Sequence, residues 1–330
     1  MDAESSDDGG ESVGEMWGLF EGWESIPEGG LVTLADHETG APFSLALSPS
    51  FVAEELAAGR DTAAVRRGSI DVAQDMVLRR RVLASEGGRE LSENESQSAT
   101  GAVVWNTSVV VAAWLEANRV CARSWMSGTG SSGGAVELGA GCGVCSAMMA
   151  LVLQQCGRVV ATDREEMLPL LSANVRKNLA LARGATSVAP LWWGDAKLTT
   201  AIAPPFDVVV ATDCVYDYEI ITPLLACLDD ISHAHTRVVL GFDEAIGHWE
   251  VYREFWTAAR NAGWRATPIS LSGEVAAVAG DAASGAAAAG AAAAGDPAAG
   301  DAAAAVEKWF PVPDKWRSPM VKVWLLTRVV

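Results

Sequence analysis

The residues able to do chemistry cluster in three places along this chain. The first is Ala135–Gly143, reading AVELGAGCG, where an apolar run meets glycines at 139, 141 and 143. Glycine permits a sharp turn and lets a ligand approach the main chain closely. A dinucleotide fingerprint would need G-x-G-x-x-G to hold a pyrophosphate at a helix N-terminus. Val144 stands where its last glycine would fall, and the acid Glu137 precedes the loop. A carboxylate there suits a ligand with a cationic amine rather than a pyrophosphate. The competing reading of the loop alone is a tight structural turn. The second place is Asp163, which ends RVVATD twenty residues beyond Gly143. An acid at the tip of a second strand, about that far on, holds ribose hydroxyls in nucleoside-binding α/β folds. Taken alone it could equally cap a helix starting at Glu165. The third is Ala211–Tyr216, ATDCVY, with Asp213 and Tyr216 three residues apart. If a helical turn begins there, that spacing puts both on one side. The alternative is a capping Asp beside a packed Tyr.

Elements that alternate in period must position these residues. Val103–Leu115 is a nearly continuous apolar stretch with the spacing of a buried helix. Strands are expected at 135–138, 158–162, 187–192, 206–212, 237–242, 264–271 and 321–329. Helices are expected near 144–156, 165–182, 220–231 and 249–262, with Met167, Leu171, Val175 and Leu179 on one face of the second. Strands alternating with helices imply a mainly parallel sheet covered on both faces. The last two strands have no helix between them and are expected to pair as an antiparallel hairpin. The three chemical clusters then fall at the carboxyl ends of strands, where open α/β sheets bind ligands.

Around this core the organisation is uneven. Residues 1–30 are rich in Asp, Glu, Ser and Gly and are expected to be a disordered tail, interrupted by Met16, Trp17, Leu19, Phe20 and Trp23. Residues 31–100 form an N-terminal extension: two short strands within 31–52 around a turn at Glu38–Pro42, a partly helical 53–83, and a polar linker at 84–100. Residues 101–330 form the core, with an Ala/Gly/Asp insertion at 273–306 that carries no chemistry and is expected to be a disordered loop tip.

Of the net charge of −18, eleven acids and no base within 1–38 leave only −7 for the rest. No basic patch exists to neutralise phosphates, so direct nucleic-acid binding is not expected. A basic protein partner suits the acidic tail, and a merely solubilising tail is the competing reading. No run of eighteen apolar residues predicts a membrane helix. The start MDAESSDDGG lacks the features of a secretory or transit peptide. These features predict a soluble monomer in the cytoplasm, with the nucleus as a second compartment. The six cysteines sit in apolar segments, as free thiols do. Cys142-x-x-Cys145 has no second pair, so no zinc site is expected.

Taken in order, several motifs resemble those of the seven-β-strand methyltransferases, and more closely family 16, rich in protein-lysine methyltransferases. They are Gly101–Trp105 (GAVVW), the ELGAGCG loop, TDREE from Thr162, SANVRKN from Ser172, Trp192–Asp195 (WWGD) and ATDCVYD from Ala211. The resemblance spans roughly 101–271 and the last strand. It implies a Rossmann-like seven-stranded α/β sheet with an antiparallel last strand, and S-adenosylmethionine as cofactor. It also implies roles. Gly139, Ala140 and Gly141 would contact the cofactor's methionine part, with Glu137 near its amine. Asp163 would hold the ribose, Trp193 would sit beside the adenine, and Trp105 and Thr212 would complete the wall. Asp213 and Tyr216 match a D-x-x-Y motif beside the acceptor nitrogen, as catalytic residues. The expected activity is N-methylation of a protein lysine. Arginine, histidine or a small amine as acceptor, or a catalytically silent cofactor-binding scaffold, are the alternatives.

Overall fold

The computed structural model describes residues 41–75, 101–126, 133–153, 157–179, 186–244, 248–271, 313, 318 and 320–329. The acidic tail, its aromatic island, the 84–100 linker and the 273–306 insertion lie outside the described residues. So does the amino-terminal half of the strand pair expected within 31–52.

Seven strands form one sheet: β3 (Gly134–Leu138), β4 (Arg158–Asp163), β5 (Thr186–Pro190), β6 (Phe206–Thr212), β7 (Ser232–Asp243), β8 (Trp264–Ile269) and β9 (Val321–Arg328). Their order is β5-β4-β3-β6-β7-β9-β8. The pairs from β5 to β7 are parallel. β9 runs antiparallel between β7 and β8. The expected hairpin of the last two strands is present, with β9 additionally inserted beside β7.

Every residue of the central strands β3 and β6 is buried. Successive side chains alternate between two faces. Ala135, Val159, Val208 and Val210 enter one core, with α3 (Asn106–Ala117), α5 (Val144–Leu153) and α6 (Leu168–Leu179). Val136, Leu138, Val209 and Ala211 enter the other, with α8 (Tyr218–Ile231) and α9 (Trp249–Asn261). The expected face of Met167, Leu171, Val175 and Leu179 is buried. α5 is buried on all sides, which is why its sequence is apolar throughout. Two short helices, α4 (Arg119–Trp125) and α7 (Ala196–Ala201), are additions to the expected set.

The extension differs from expectation. β1 (Phe43–Ala46) pairs antiparallel with β2 (Ser69–Val72), a strand in the stretch read as partly helical. Between them lie α1 (Pro49–Ala57) and α2 (Ala63–Arg67). The turn chemistry explains this. Ser48 caps α1, accepting from the Phe51 N–H, with Pro49 preset at its first turn. Gly68, at φ 71°, ends α2 in the left-handed conformation and releases the chain into β2.

This ribbon belongs to the core rather than standing apart. Leu45, Phe51, Ile70 and Val72 share one apolar cluster with α3 and α5. Buried Glu55 pairs with Arg60 and Arg123, and Glu54 with Arg119 and Arg123. Two asparagines one turn apart on α6 fasten the β2 backbone. Asn178 accepts from the Asp71 N–H at 2.9 Å and donates to its carbonyl at 2.8 Å. Asn174 does the same for Ala73 and also donates to the Cys142 carbonyl at 2.9 Å, in the glycine loop. Asn174→Ala leaves one buried and two part-buried backbone groups without this partner. It is expected to cost about 2–4 kcal/mol, seen as a lower midpoint in chemical denaturation. An unchanged midpoint would refute this account of the ribbon.

Candidate active site

The strand order reverses at β3, with β4 on one side and β6 on the other. This switch point opens a crevice beyond the carboxyl ends of the strands. A cleft of about 480 Å³ occupies it, a size usual for small-molecule sites. Trp105, Gly139, Ala140, Gly141, Asp163, Trp193, Thr212, Asp213 and Tyr216 all line it. Residues far apart in sequence thus meet: most stand at or just after the carboxyl ends of β3, β4, β5 and β6, and Trp105 joins them from the start of α3.

The glycine loop is held open by its conformation and by β4. Gly139 and Gly141 have φ of 62° and 51°, in the left-handed region that favours glycine. A Cβ on Gly141 would lie 3.0 Å from the Gly101 carbonyl, and one on Gly139 3.0 Å from the Cys214 sulfur. The Ala140 N–H donates to the Thr162 carbonyl at 2.9 Å. The Gly141 N–H donates to Asp163 Oδ2 at 2.6 Å. Asp163 Oδ1 accepts from the Arg164 N–H at 2.7 Å. Asp163 therefore shapes the loop as well as lining the cleft, and it caps no helix. Burial pushes its carboxyl above the usual range, and these two N–H donors oppose that. A carboxylate has about four acceptor positions, so both oxygens keep capacity for hydroxyl donors.

Asp213 does not start a helical turn. It sits at φ 53°, uncommon for a residue with a side chain, and its own N–H donates to the Gly241 carbonyl at 3.0 Å. The cap of α8 is Asp217, which accepts from the Glu219 N–H. Asp213 Oδ1 accepts from Thr107 Oγ1 at 2.9 Å and the Asp243 N–H at 3.0 Å. Its Oδ2 is buried with no hydrogen-bond partner. Burial pushes this carboxyl up to about 7, against the pull of those two donors. Burial likewise raises the Tyr216 phenol to about 12, so it stays protonated at neutral pH.

Glu137 is the one expected site residue that the structure keeps out of the cleft lining. It is 1% exposed, and its carboxyl bonds the Ser146 hydroxyl on α5. Strand alternation explains this, since Glu137 shares the face of Ala135 and so points at α5 under the loop. Burial raises its carboxyl to about 8, and the hydrogen bond from Ser146 opposes that. The two thiols of Cys142-x-x-Cys145 turn to different carbonyls, those of Gly101 and Ser108.

The cleft also recruits residues that the sequence reading passed over. Arg164 lies 4.4 Å from the Trp192 ring centroid, and both line the cleft. Glu219, His248 and Tyr252 do so from the first turns of α8 and α9 and the residue before α9. Their signal was position, since each lies in the segment that follows a parallel strand.

A methyl donor of the adenosyl-sulfonium kind fits this lining. Asp163, Asp213, Asp217 and Glu219 outnumber the one guanidinium, Arg164, which suits a cationic ligand and not a pyrophosphate. Three indoles, Trp105, Trp192 and Trp193, offer flat apolar surface for a base.

The residue pattern of the lysine methyltransferase family matches residues 87–254, half of the chain. The chain belongs to this family. Its family implies S-adenosylmethionine as methyl donor, the ligand that the lining suits. Among similar proteins is the protein N-lysine methyltransferase METTL21A of Danio rerio, 32% identical over 46% of this chain and 64% of that protein. The protein of that name from Mus musculus is also 32% identical, over the same shares. The protein-lysine methyltransferase METTL21E of Bos taurus is 31% identical over 46% of this chain and 50% of its own length. The match thus spans less than two thirds of each of these family members. Among the described residues, no helix is long and apolar enough to cross a membrane.

Proposed function

We propose that this protein transfers a methyl group from S-adenosylmethionine to the side-chain amine of a lysine on a protein substrate. The observation that carries the acceptor assignment is Asp213: a strained, buried carboxylate in the cleft wall with one oxygen bound twice and the other left without a partner. Strained backbone and an unsatisfied buried oxygen are costly, and such costs persist where function needs them. Family membership and the names of similar proteins support lysine as the acceptor.

Trp105, Gly139, Ala140, Gly141, Asp163, Trp193 and Thr212 would hold the cofactor, with Asp163 on the ribose hydroxyls. Glu137 would act only through the loop above it. Bound there, S-adenosylmethionine supplies a methyl group carried on a positively charged sulfur. The protein's own work is to admit the amine, hold it neutral and aim its lone pair. A free lysine amine has a pKa of about 10.4, and burial in the cleft lowers it. Asp213 Oδ2 accepts a hydrogen bond from the amine N–H, and the Tyr216 hydroxyl lies on the same wall. Together they fix the direction of the lone pair, an alignment that can contribute roughly 7–11 kcal/mol to such a reaction. The acidic lining draws in a cationic side chain.

Incubation of the purified protein with radiolabelled cofactor and a cell lysate tests the reading, with the labelled residue identified by mass spectrometry. Label on a protein lysine is expected. Label only on arginine, histidine or a small amine would redirect the acceptor, and no label in any fraction would reject methyl transfer. In this assay Tyr216→Phe is expected to lose roughly tenfold in incorporation, about 1.4 kcal/mol in the barrier, with cofactor affinity nearly kept. Equal losses in both would place Tyr216 with the cofactor instead.

A further inference from the structure

We infer that Thr107 is a positioning residue for Asp213: its hydroxyl, with the Asp243 N–H, occupies Oδ1 and so dedicates Oδ2 to the acceptor amine. This rests on the acceptor role proposed above for Asp213.

The geometry is a closed set of contacts. Thr107 lies in the first turn of α3, and its Oγ1 donates to Asp213 Oδ1 at 2.9 Å. The Asp243 N–H, at the end of β7, donates to the same oxygen at 3.0 Å. One residue before it on α3, Asn106 donates to Asp243 Oδ2 at 3.0 Å, tying that helix end to that strand end. Thr107 reaches this place because β7 carries glycine at 241. A Cβ there would lie 2.4 Å from Thr107 Cγ2 and 3.2 Å from Val111 Cγ2. Glycine inside a strand often marks a close approach of this kind. The Gly241 carbonyl in turn receives the Asp213 N–H at 3.0 Å. Asp213 is thus pinned at its backbone and at one carboxylate oxygen. Oδ1 is taken by two donors, and Oδ2 is left buried without a partner in a residue that lines the cleft.

Two consequences follow for the proton on Asp213. A hydrogen bond to the charged form favours that form. Burial opposes the charge on Asp213, and so does the Asp243 carboxylate at the end of β7. Tyr252 on α9, Cys145 on α5 and Cys214 beside it in the chain also face it, but burial keeps all three protonated, so they add no charge. Glu244 follows Asp243 at the end of β7, and burial pushes its carboxyl up to about 7. The cation Lys322 of β9 is 3.6 Å from Glu244, and faces that group. Thr107 is therefore the side chain that keeps the Asp213 carboxyl ionised enough to accept a hydrogen bond near neutral pH.

The test titrates the Asp213 carboxyl carbon by NMR in the full-length ¹³C-labelled protein, its signal identified by its loss in Asp213→Asn. In parallel, methyl incorporation into a cell lysate from labelled S-adenosylmethionine is followed against pH. Thr107→Val keeps the shape and removes the hydroxyl. It is expected to raise the carboxyl midpoint by roughly one pH unit, and to move the acid limb of incorporation with it. Thr107→Ser should restore both. If the valine variant does not fold, Thr107→Ala makes the same test with less bulk. An unmoved midpoint in the variant lacking the hydroxyl, or a serine variant that shifts as far, overturns the assignment. Full incorporation by Asp213→Asn would be a different failure: it removes the acceptor role of Asp213, and the purpose of Thr107 with it.

Discussion

Asp213→Asn is expected to lose methyl transfer by a hundredfold or more while making the protein more stable at neutral pH. The loss, about 2.7 kcal/mol in the barrier, comes from putting an NH₂ where Oδ2 now stands. A donor then faces the N–H of the incoming amine. The gain comes from removing a buried charge while two features of the site are kept. Asn keeps the oxygen that accepts from Thr107 and Asp243. It tolerates the left-handed backbone that Asp213 adopts at φ 53°. It also removes a carboxyl whose pKa the fold raises from 3.8 to about 7. Such a group contributes its stability below the unfolded pKa and loses it as pH rises through the folded one. Wild type should therefore weaken between about pH 4 and 7 relative to the variant, and the gap should stay constant above. A gain of about 1–2 kcal/mol at pH 8 is reasonable for a relieved site. Thermal unfolding at pH 4, 6 and 8, with methyl incorporation on the same preparations, checks both halves. Had Asp213 been only structural, the variant would lose stability and keep its turnover per folded molecule.

Asp163→Ala is expected to weaken binding of S-adenosylhomocysteine by roughly 30- to 150-fold, about 2–3 kcal/mol. Two effects combine. In the role proposed for Asp163 the ribose would lose its charge-assisted partner, and the Gly141 and Arg164 N–H groups lose the carboxylate that holds the loop. Asp163→Asn separates them, because one amide oxygen can still serve one of the two N–H groups. Calorimetric titration of wild type and both variants is the measurement. A dissociation constant within threefold of wild type for the alanine variant would contradict the ribose role. Loss of binding with a collapsed melting transition would instead assign Asp163 to the fold alone.

Much of the frame was legible because it is written in local patterns. The alternating strands and helices from Ala135 to Ile269 carry period-two and period-3.6 apolar signals that burial on one or both sheet faces demands. The glycine loop, the acid that ends β4 and the Asp/Tyr pair after β6 were legible because ligand chemistry in a parallel sheet sits at strand ends. The pairing of the ribbon was not legible because it is nonlocal. Phe43–Ala46 chooses Ser69–Val72 as partner, and the deciding signals were the cap at Ser48, the proline after it and Gly68.

By itself the sequence determined the order of the elements, the residue types at each strand tip and the absence of a pyrophosphate-type loop. These depend on neighbours within one turn or one strand. Only the tertiary structure decided which way each side chain faces. It turned Glu137 under the loop, brought Arg164, His248 and Tyr252 into the cleft, and set Thr107 against Asp213 from 106 residues away. The reason is physical. Whether an oxygen is left for a substrate depends on which donors have already taken its lone pairs, and those donors come from elements that meet only when the sheet is assembled.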